Sequence, residues 1–352
     1  MKTTFLYPDA KFSPHKSLEQ WALSVSQASI KTPKGFGRFD INSIPYSDIL
    51  LIESLYCLPF AKKYKIAKSQ SDLVKMTESP DKKSISDLAI GTTEQSKSII
   101  SKTKECKIIA MIVDTSFWLE KLSIFRKLYY SLYLDVVDGF MTLSERSKKD
   151  IEKFMKDNGY KKKPIIVIRP FMANAIKPSK KTLNKNILFI GNEAEEKGYL
   201  KLVKAMDYLP DFQLYLVGNC KQKLPKKLPK NIHIEGRVNN LKKYMEICTY
   251  YCHPADFEPF GVAPLEAMYA GLIPILTKDV GMTEIFTTSL KKLLLSDNSP
   301  EHIARMVQFI DRLAIDEKTD IIKESKRLAS GYTKEKNIKL FKNQFDRLAK
   351  VI

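Results

Sequence analysis

An α/β fold built on two parallel sheets is what this sequence predicts, and three observations predict it. Short apolar, β-branched runs recur at 3–7, 49–52, 107–114, 165–168, 187–190, 214–217 and 273–276, separated by longer segments of helical character. Unbroken apolar runs of this length belong to strands covered on both faces, and their alternation with helices is the layout of open parallel sheets. The 352 residues, 44% of them hydrophobic, supply enough apolar surface for two cores of ordinary size. The stretch 169–183, RPFMANAIKPSKKTL, is polar and basic, holds two prolines, and separates two of the runs. It marks a domain boundary. No short internal repeat is visible.

The elements follow in order. The run 3–7 leads into DAKFSPHKS at 9–17, where Ser13 can cap a helix whose first residue is Pro14. KIIAMIVD at 107–114 reads as a buried strand. In YLDVVDGFMTLSERSKKD, 133–150, the hydrophobic run ends at Ser144, an N-cap for a helix continuing through 147–150. Past the boundary, NILFIGNEAEEKGYLKLVKAM at 186–206 reads as strand, turn and helix. The segment 331–352, GYTKEKNIKLFKNQFDRLAKVI, is an amphipathic helix with Ile338, Phe341, Phe345 and Leu348 along one face.

The most informative stretch is HPADFEPFGVAPLEAMYAGLIPILTKDVGMTEI, 253–285. A strand ends at His253, the turn Pro259-Phe260-Gly261 follows, and a helix is expected over 263–270 with Pro264 in its first turn. Backbone amides of Gly261 and Val262 point out of the helix start with the positive end of its dipole, an arrangement suited to a phosphate. Glu266 is then expected in the first turn, placed to accept hydrogen bonds from sugar hydroxyls, and Glu258 precedes the turn. Two carboxylates alone carry little information, because an acidic residue near a helix start is favourable to the dipole in any protein.

Their setting carries more. Glu258 and Glu266, separated by seven residues within EPFGVAPLEAMYAGLIPIL, closely resemble the donor-binding signature of the retaining GT-B glycosyltransferases of family four. The resemblance implies two Rossmann-like domains with parallel sheets facing across a cleft, an N-terminal acceptor domain at 1–171 and a nucleotide-sugar domain at 172–332, with a final helix at 333–352 packing back on the first. It implies a metal-independent retaining transfer from a UDP- or GDP-sugar to a hydroxyl acceptor, a glycan or lipid-linked group, with no cofactor beyond that donor.

Residue roles come with the resemblance. Lys197 stands where relatives carry a basic residue that neutralises the donor diphosphate, and a fixed cation there stabilises the charge that develops as the glycosidic bond breaks. Gly191 matches the strand glycine, but Asn192 follows it where relatives have arginine, which leaves Arg169 and Arg237 as candidate replacements. Where relatives have a histidine before an aspartate, this chain has Val113 and Asp114, so Asp114 alone becomes a cleft candidate. The paired glycines of the first loop are absent, and His15 and Lys16 stand in their place, His15 as a candidate imidazole and Lys16 beside the phosphate. Glu258, Lys197, Asp114 and His15 form the catalytic set, and Glu266, Phe260, Gly261, Val262, Gly191, Asn192, Lys16, Arg169 and Arg237 the donor-binding set. These departures also define an alternative, a catalytically weakened GT-B protein that binds nucleotide-sugar or scaffolds a partner.

Charge is the second feature. With 59 Lys and Arg against 40 Asp and Glu, the chain carries +19, more than solubility requires. KKYKIAK at 62–68 and FWLEKLSIFRKLYYSLYL at 117–134 mix basic residues with aromatics, a combination suited to an anionic membrane surface. Nucleic acid is not expected as a partner, because no recognition motif accompanies the charge. The odd count of five cysteines without C-x-x-C spacing argues against a disulfide framework and a zinc knuckle. No D-x-D triplet is present to hold a divalent cation. No leader and no apolar run of spanning length are visible, so a cytoplasmic protein, peripheral at the inner face of the membrane, is expected.

Overall fold

The computed structural model describes residues 1–8, 16–32, 40–53, 55–77, 106–114, 117–172, 175–176, 182–192, 194–220 and 224–352. Two units emerge, one of residues 1–142, 151–166 and 341–352, the other of 143–150 and 167–340.

The first unit is built on a six-stranded sheet of order β2-β1-β3-β4-β5-β6, formed by β1 (Thr3–Pro8), β2 (Ala28–Thr32), β3 (Ile49–Ile52), β4 (Lys107–Ile112), β5 (Gly139–Thr142) and β6 (Ile165–Val167). The pairs β1–β2, β1–β3, β3–β4 and β4–β5 are parallel. The run leading to Ser144 contains β5, and β6 follows it at the edge of the sheet. Every residue of β3 and β5 is buried, which is why these strands read as unbroken apolar runs. Described helices are α1 (Lys16–Val25), α2 (Leu58–Thr77), α3 (Ile124–Tyr133) and, from Ile151 onward, α4 (Glu145–Asp157). Ser144 caps α4, its hydroxyl accepting from the Ser147 N–H at 3.2 Å.

The aromatic and basic stretches divide between core and surface. Phe117, Trp118, Tyr130 and Leu134 are buried, and Phe117 stacks on Tyr130 with ring centroids 4.9 Å apart. Within 62–68, Tyr64 is buried, with its hydroxyl accepting from the Ser47 N–H at 2.9 Å. Lys65 pairs with Asp138 at 3.1 Å, and buried Lys68 donates to the Ser47 carbonyl at 2.8 Å. Both stretches are thus split, with these side chains interior and Lys63, Ile66, Lys121 and residues 123–128 exposed.

The second unit has a five-stranded, all-parallel sheet of order β11-β10-β7-β8-β9, from β7 (Asn186–Asn192), β8 (Gln213–Asn219), β9 (Ile232–Gly236), β10 (Tyr250–His253) and β11 (Ile273–Leu276). Its helices are α5 (Tyr199–Ala205), α6 (Lys242–Ile247), α7 (Val262–Ala270), α8 (Thr288–Lys291), α9 (Pro300–Arg312) and α10 (Ile315–Ala329). The last helix, α11 (Lys334–Val351), starts in the second unit and passes to the first at Phe341. There Phe341 stacks on Trp21 at 5.4 Å, and Leu348 fills the space left by the missing side chain of Gly139. All five cysteines are buried thiols, Cys57 and Cys106 in the first unit, Cys220, Cys248 and Cys252 in the second.

Candidate functional site

The site grows from the ends of β7 and β10, which are neighbours in the sheet. After β7 the chain makes a 3₁₀ turn, Glu195–Lys197, and reverses at Gly198, whose φ of 75° lies in the left-handed region. A Cβ on Gly198 would overlap the Pro254 carbonyl oxygen, so the missing side chain is what lets this turn lie on the loop after β10. Asp256 N–H seals the contact by donating to the Glu196 carbonyl at 2.7 Å.

That contact delivers Lys197 to Glu258, Nζ to Oε2 at 2.9 Å. Gly191 makes room for the Phe189 ring, since a Cβ there would stand 2.7 Å from Phe189 Cε1 and 2.8 Å from its Cζ. Glu258 is in turn fixed through its backbone, its N–H donating to the Asp279 carbonyl at 3.1 Å and its carbonyl accepting from Gly281 N–H at 2.9 Å. Arg146 holds this second loop by an ion pair with Asp279 and lies over the Phe257 ring, 5.0 Å from its centroid.

A third member completes the cluster. His253, the last residue of β10, is 1% exposed and stacks face to face on Phe189 at 5.3 Å. Its Nε2 lies 3.5 Å from the same Glu258 oxygen, at the outer limit of a hydrogen bond. Both ring nitrogens are buried, and neither makes a hydrogen bond of ordinary geometry among the described residues, so the Glu258 contact is an electrostatic one. Burial lowers the His253 pKa, more than its carboxylate neighbour restores it, which favours the neutral ring. For Glu258 burial pushes the other way, but the Lys197 charge and the His253 contact outweigh it and hold the carboxyl below the usual carboxylate range. Burial disfavours the Lys197 ammonium, yet the Glu258 charge and hydrogen bond overcome that and raise its pKa. The result is a locked ammonium–carboxylate pair on a neutral, stacked imidazole.

Glu258 then leads into α7. Gly261, at φ 99°, is the N-cap. A Cβ there would stand 2.9 Å from Pro264 Cγ and 3.0 Å from Val280 Cγ1, so glycine is required by both conformation and space. The helix begins at Val262, one residue earlier than expected, which makes Glu266 its fifth residue. Glu266 therefore lies in the second turn, not the first, and is 8% exposed. Phe260 is fully buried, 6.3 Å from the Tyr332 ring, and its carbonyl accepts from Met282 N–H at 2.7 Å; it anchors the turn.

The structure thus brings Lys197, Glu258, Gly191, Gly261 and Val262 onto adjoining βα junctions of one sheet. Asn192, exposed at the end of β7, accepts from Ala194 N–H at 3.4 Å. Arg169 pairs with Glu284 at 3.6 Å, a carboxylate that also takes the Glu145 and Arg146 amides at the start of α4, both at 3.0 Å. Arg237 is exposed just past β9, with β7 and β8 between that edge strand and β10, a separation of roughly 14 Å. Asp114 is exposed after β4, in the other unit. His15 lies outside the described residues, and Lys16 opens α1. His253 and Arg146 were not singled out from the sequence. The signal for His253 was its place at the end of a buried strand one residue before the Glu258 loop begins, where a polar side chain needs a partner.

Two units, each an open parallel sheet flanked by helices, with glycine-bearing βα junctions in the second, define the GT-B class of fold. Residues 173–328 match the model of the family described as glycosyl transferases group 1. Among solved structures, the chain is similar to the Anabaena protein Alr3699/HepE in complex with UDP and glucose, at 14% identity, TM-score 0.69 and 99% coverage of both chains. It is also similar to the sucrose-phosphate synthase of Thermosynechococcus elongatus, at 12% identity, TM-score 0.69 and full coverage of both. Among curated proteins, the O-antigen biosynthesis glycosyltransferase WbnH of Escherichia coli is 30% identical over 157 residues, 44% of either chain. An uncharacterized glycosyltransferase of Haemophilus influenzae is 28% identical over 198 residues, 52% of this chain and 53% of that one. The matches span about half of the length of these curated relatives.

Proposed function

We propose that the protein is a metal-independent, retaining glycosyltransferase that moves a sugar from a nucleotide-sugar to a hydroxyl of a glycan or lipid-linked acceptor. The observation that carries this reading is the Lys197–Glu258 pair at 2.9 Å, set one turn ahead of the amides of Gly261 and Val262. Those amides and Lys197 bind the diphosphate, Glu258 contacts the donor sugar, and Glu266 takes the ribose hydroxyls. As the glycosidic bond breaks, negative charge grows on the leaving diphosphate, and Lys197 is the cation placed to receive it. The acceptor hydroxyl attacks from the face the diphosphate leaves, giving its proton to that phosphate, so the chemistry needs no protein nucleophile and no metal. UDP-sugars are the first donors to test, since the Anabaena relative is a UDP complex and the Staphylococcus aureus TarM mutant was solved with UDP. The E. coli relative's O-antigen role supports a glycan acceptor, and the reaction then belongs to the cytoplasmic side, where nucleotide-sugars are made.

Calorimetry and thermal shift against UDP-, GDP-, ADP- and CMP-sugars test this, without metal and with Glu266→Ala as control. Binding of one class, lost in the variant, followed by transfer with retained anomeric configuration, is the expected result. Binding without transfer or donor hydrolysis would replace it by the catalytically weakened reading, and binding of no donor would overturn both.

A further inference from the structure

Helix α3 is apolar on two opposite sides, and among the described residues only one of them faces a core. On the inner side Tyr130 is 2% exposed, 4.9 Å from Phe117 and 5.4 Å from Phe154. Tyr129 donates its hydroxyl to the Leu55 carbonyl at 2.8 Å. On the outer side Ile124, Phe125 and Leu128 are 76%, 81% and 60% exposed. Positions i, i+1 and i+4 form one stripe on a helix. The Phe125 ring is among the largest apolar groups of the chain, and leaving three such side chains in water together is unusual for a soluble surface.

The surroundings say what covers them. Lys121, Arg126 and Lys127 are exposed beside the stripe, and no acidic residue stands between Lys121 and Leu134. Helix α2 packs against α3 and adds exposed Lys63 and half-exposed Ile66. The helix is already formed: Ser123 caps it, accepting from Arg126 N–H at 3.3 Å, so no ordering cost remains to be met on binding. Lysine and arginine stems can lie along the apolar surface while their heads reach phosphates. At ten residues α3 is about 15 Å long, too short to span a bilayer but suited to lying in its headgroup layer.

We infer that the outer face of α3 is a docking surface for an anionic lipid bilayer, with Ile124, Phe125 and Leu128 entering the headgroup layer and Lys121, Arg126 and Lys127 on lipid phosphates. A bilayer fits better than a protein partner because every charge within 121–134 is positive and the whole chain carries +19.

Cosedimentation of the full chain with vesicles tests this, using phosphatidylcholine alone and an equal mixture of phosphatidylcholine and phosphatidylglycerol, at low and high salt. The expected result is binding to the mixed vesicles that weakens with salt and is scarcely seen with phosphatidylcholine. Replacing the stripe (Ile124→Gln, Phe125→Gln, Leu128→Gln) should lower partitioning more than about tenfold, with melting temperature unchanged. Replacing the charges (Lys121→Gln, Arg126→Gln, Lys127→Gln) should flatten the salt dependence. Equal binding by the stripe variant, or no binding of the folded wild-type chain to mixed vesicles, overturns the proposal. So does concentration-dependent self-association in sedimentation velocity that the stripe variant abolishes, since the stripe would then be covered by a second copy.

Discussion

Two lysine–carboxylate pairs join the same two segments, and they differ in what lies behind them. Lys197 meets Glu258 at 2.9 Å and Lys201 meets Asp256 at 2.6 Å, four residues apart on one side and two on the other. Behind the first is a stacked, buried histidine. Behind the second is Asn298, which accepts from Lys201 at 2.8 Å while donating to Asp256 at 2.8 Å and to the Pro254 carbonyl at 2.9 Å. The second pair is a satisfied surface staple. The first keeps a nearly dry carboxylate charged by means of a single cation, so any anion that draws Lys197 away must leave Glu258 to its imidazole neighbour. Closeness of charges is common to both; the difference in desolvation is what makes one of them a candidate for chemistry.

The largest way to break the comparison is to part both pairs at once. Gly198→Ala puts a methyl group into the Pro254 carbonyl at a left-handed φ, and a loss of about 3 kcal/mol or more is expected in urea denaturation. Lys197→Ala should cost about 2 kcal/mol, because Glu258 is left without its cation, and should lower turnover at saturating donor by about a hundredfold. Equal weakening of donor binding with unchanged turnover would refute a role on the leaving phosphate.

The next prediction sharpens the comparison by pH. His253 has a lowered pKa in the fold, so below about pH 6.5 the unfolded chain takes up a proton there that the folded chain refuses. Its stability contribution is present above that pH and is lost as pH falls through the window. His253→Gln should remove a slope of at most about 1.4 kcal/mol per pH unit, read from urea midpoints at about pH 8 and about pH 5.5. Glu258, also depressed, contributes above about pH 4.3 and loses that contribution only in stronger acid. The smallest effect belongs to Lys201→Ala. Its pair is more than a third exposed, so a change under about 1 kcal/mol and near-normal turnover are expected.

How much of this was legible follows the same line between local and long-range causes. Strands β3 and β11 were readable to the residue, because both faces are buried and periodicity has nothing to compete with. The turn before α7 was readable from Pro259, Phe260 and Gly261, which act locally. Glu266 was misplaced by one turn because the positive φ of Gly261 starts the helix at Val262, a shift of one residue that sequence propensity does not resolve. His253 was not singled out because its setting depends on Glu258 and Phe189, neighbours that only the fold brings together. The stretch 117–134 mixed two roles, since exposed and buried aromatics are written with the same residues and only the orientation of α3 separates Phe125 from Tyr130.

The five buried thiols make the two units separately observable. Only a thiolate reacts with an alkylating agent, and burial suppresses its formation, raising Cys106 to about 11 and Cys252 further. A short pulse of reagent therefore marks a cysteine only when its surroundings open. Cys57 and Cys106 then time the opening of one unit while Cys220, Cys248 and Cys252 time the other. Peptide masses from a single unmodified chain would show whether the two unfold together or in turn, and whether a bound nucleotide-sugar slows one clock and leaves the other running.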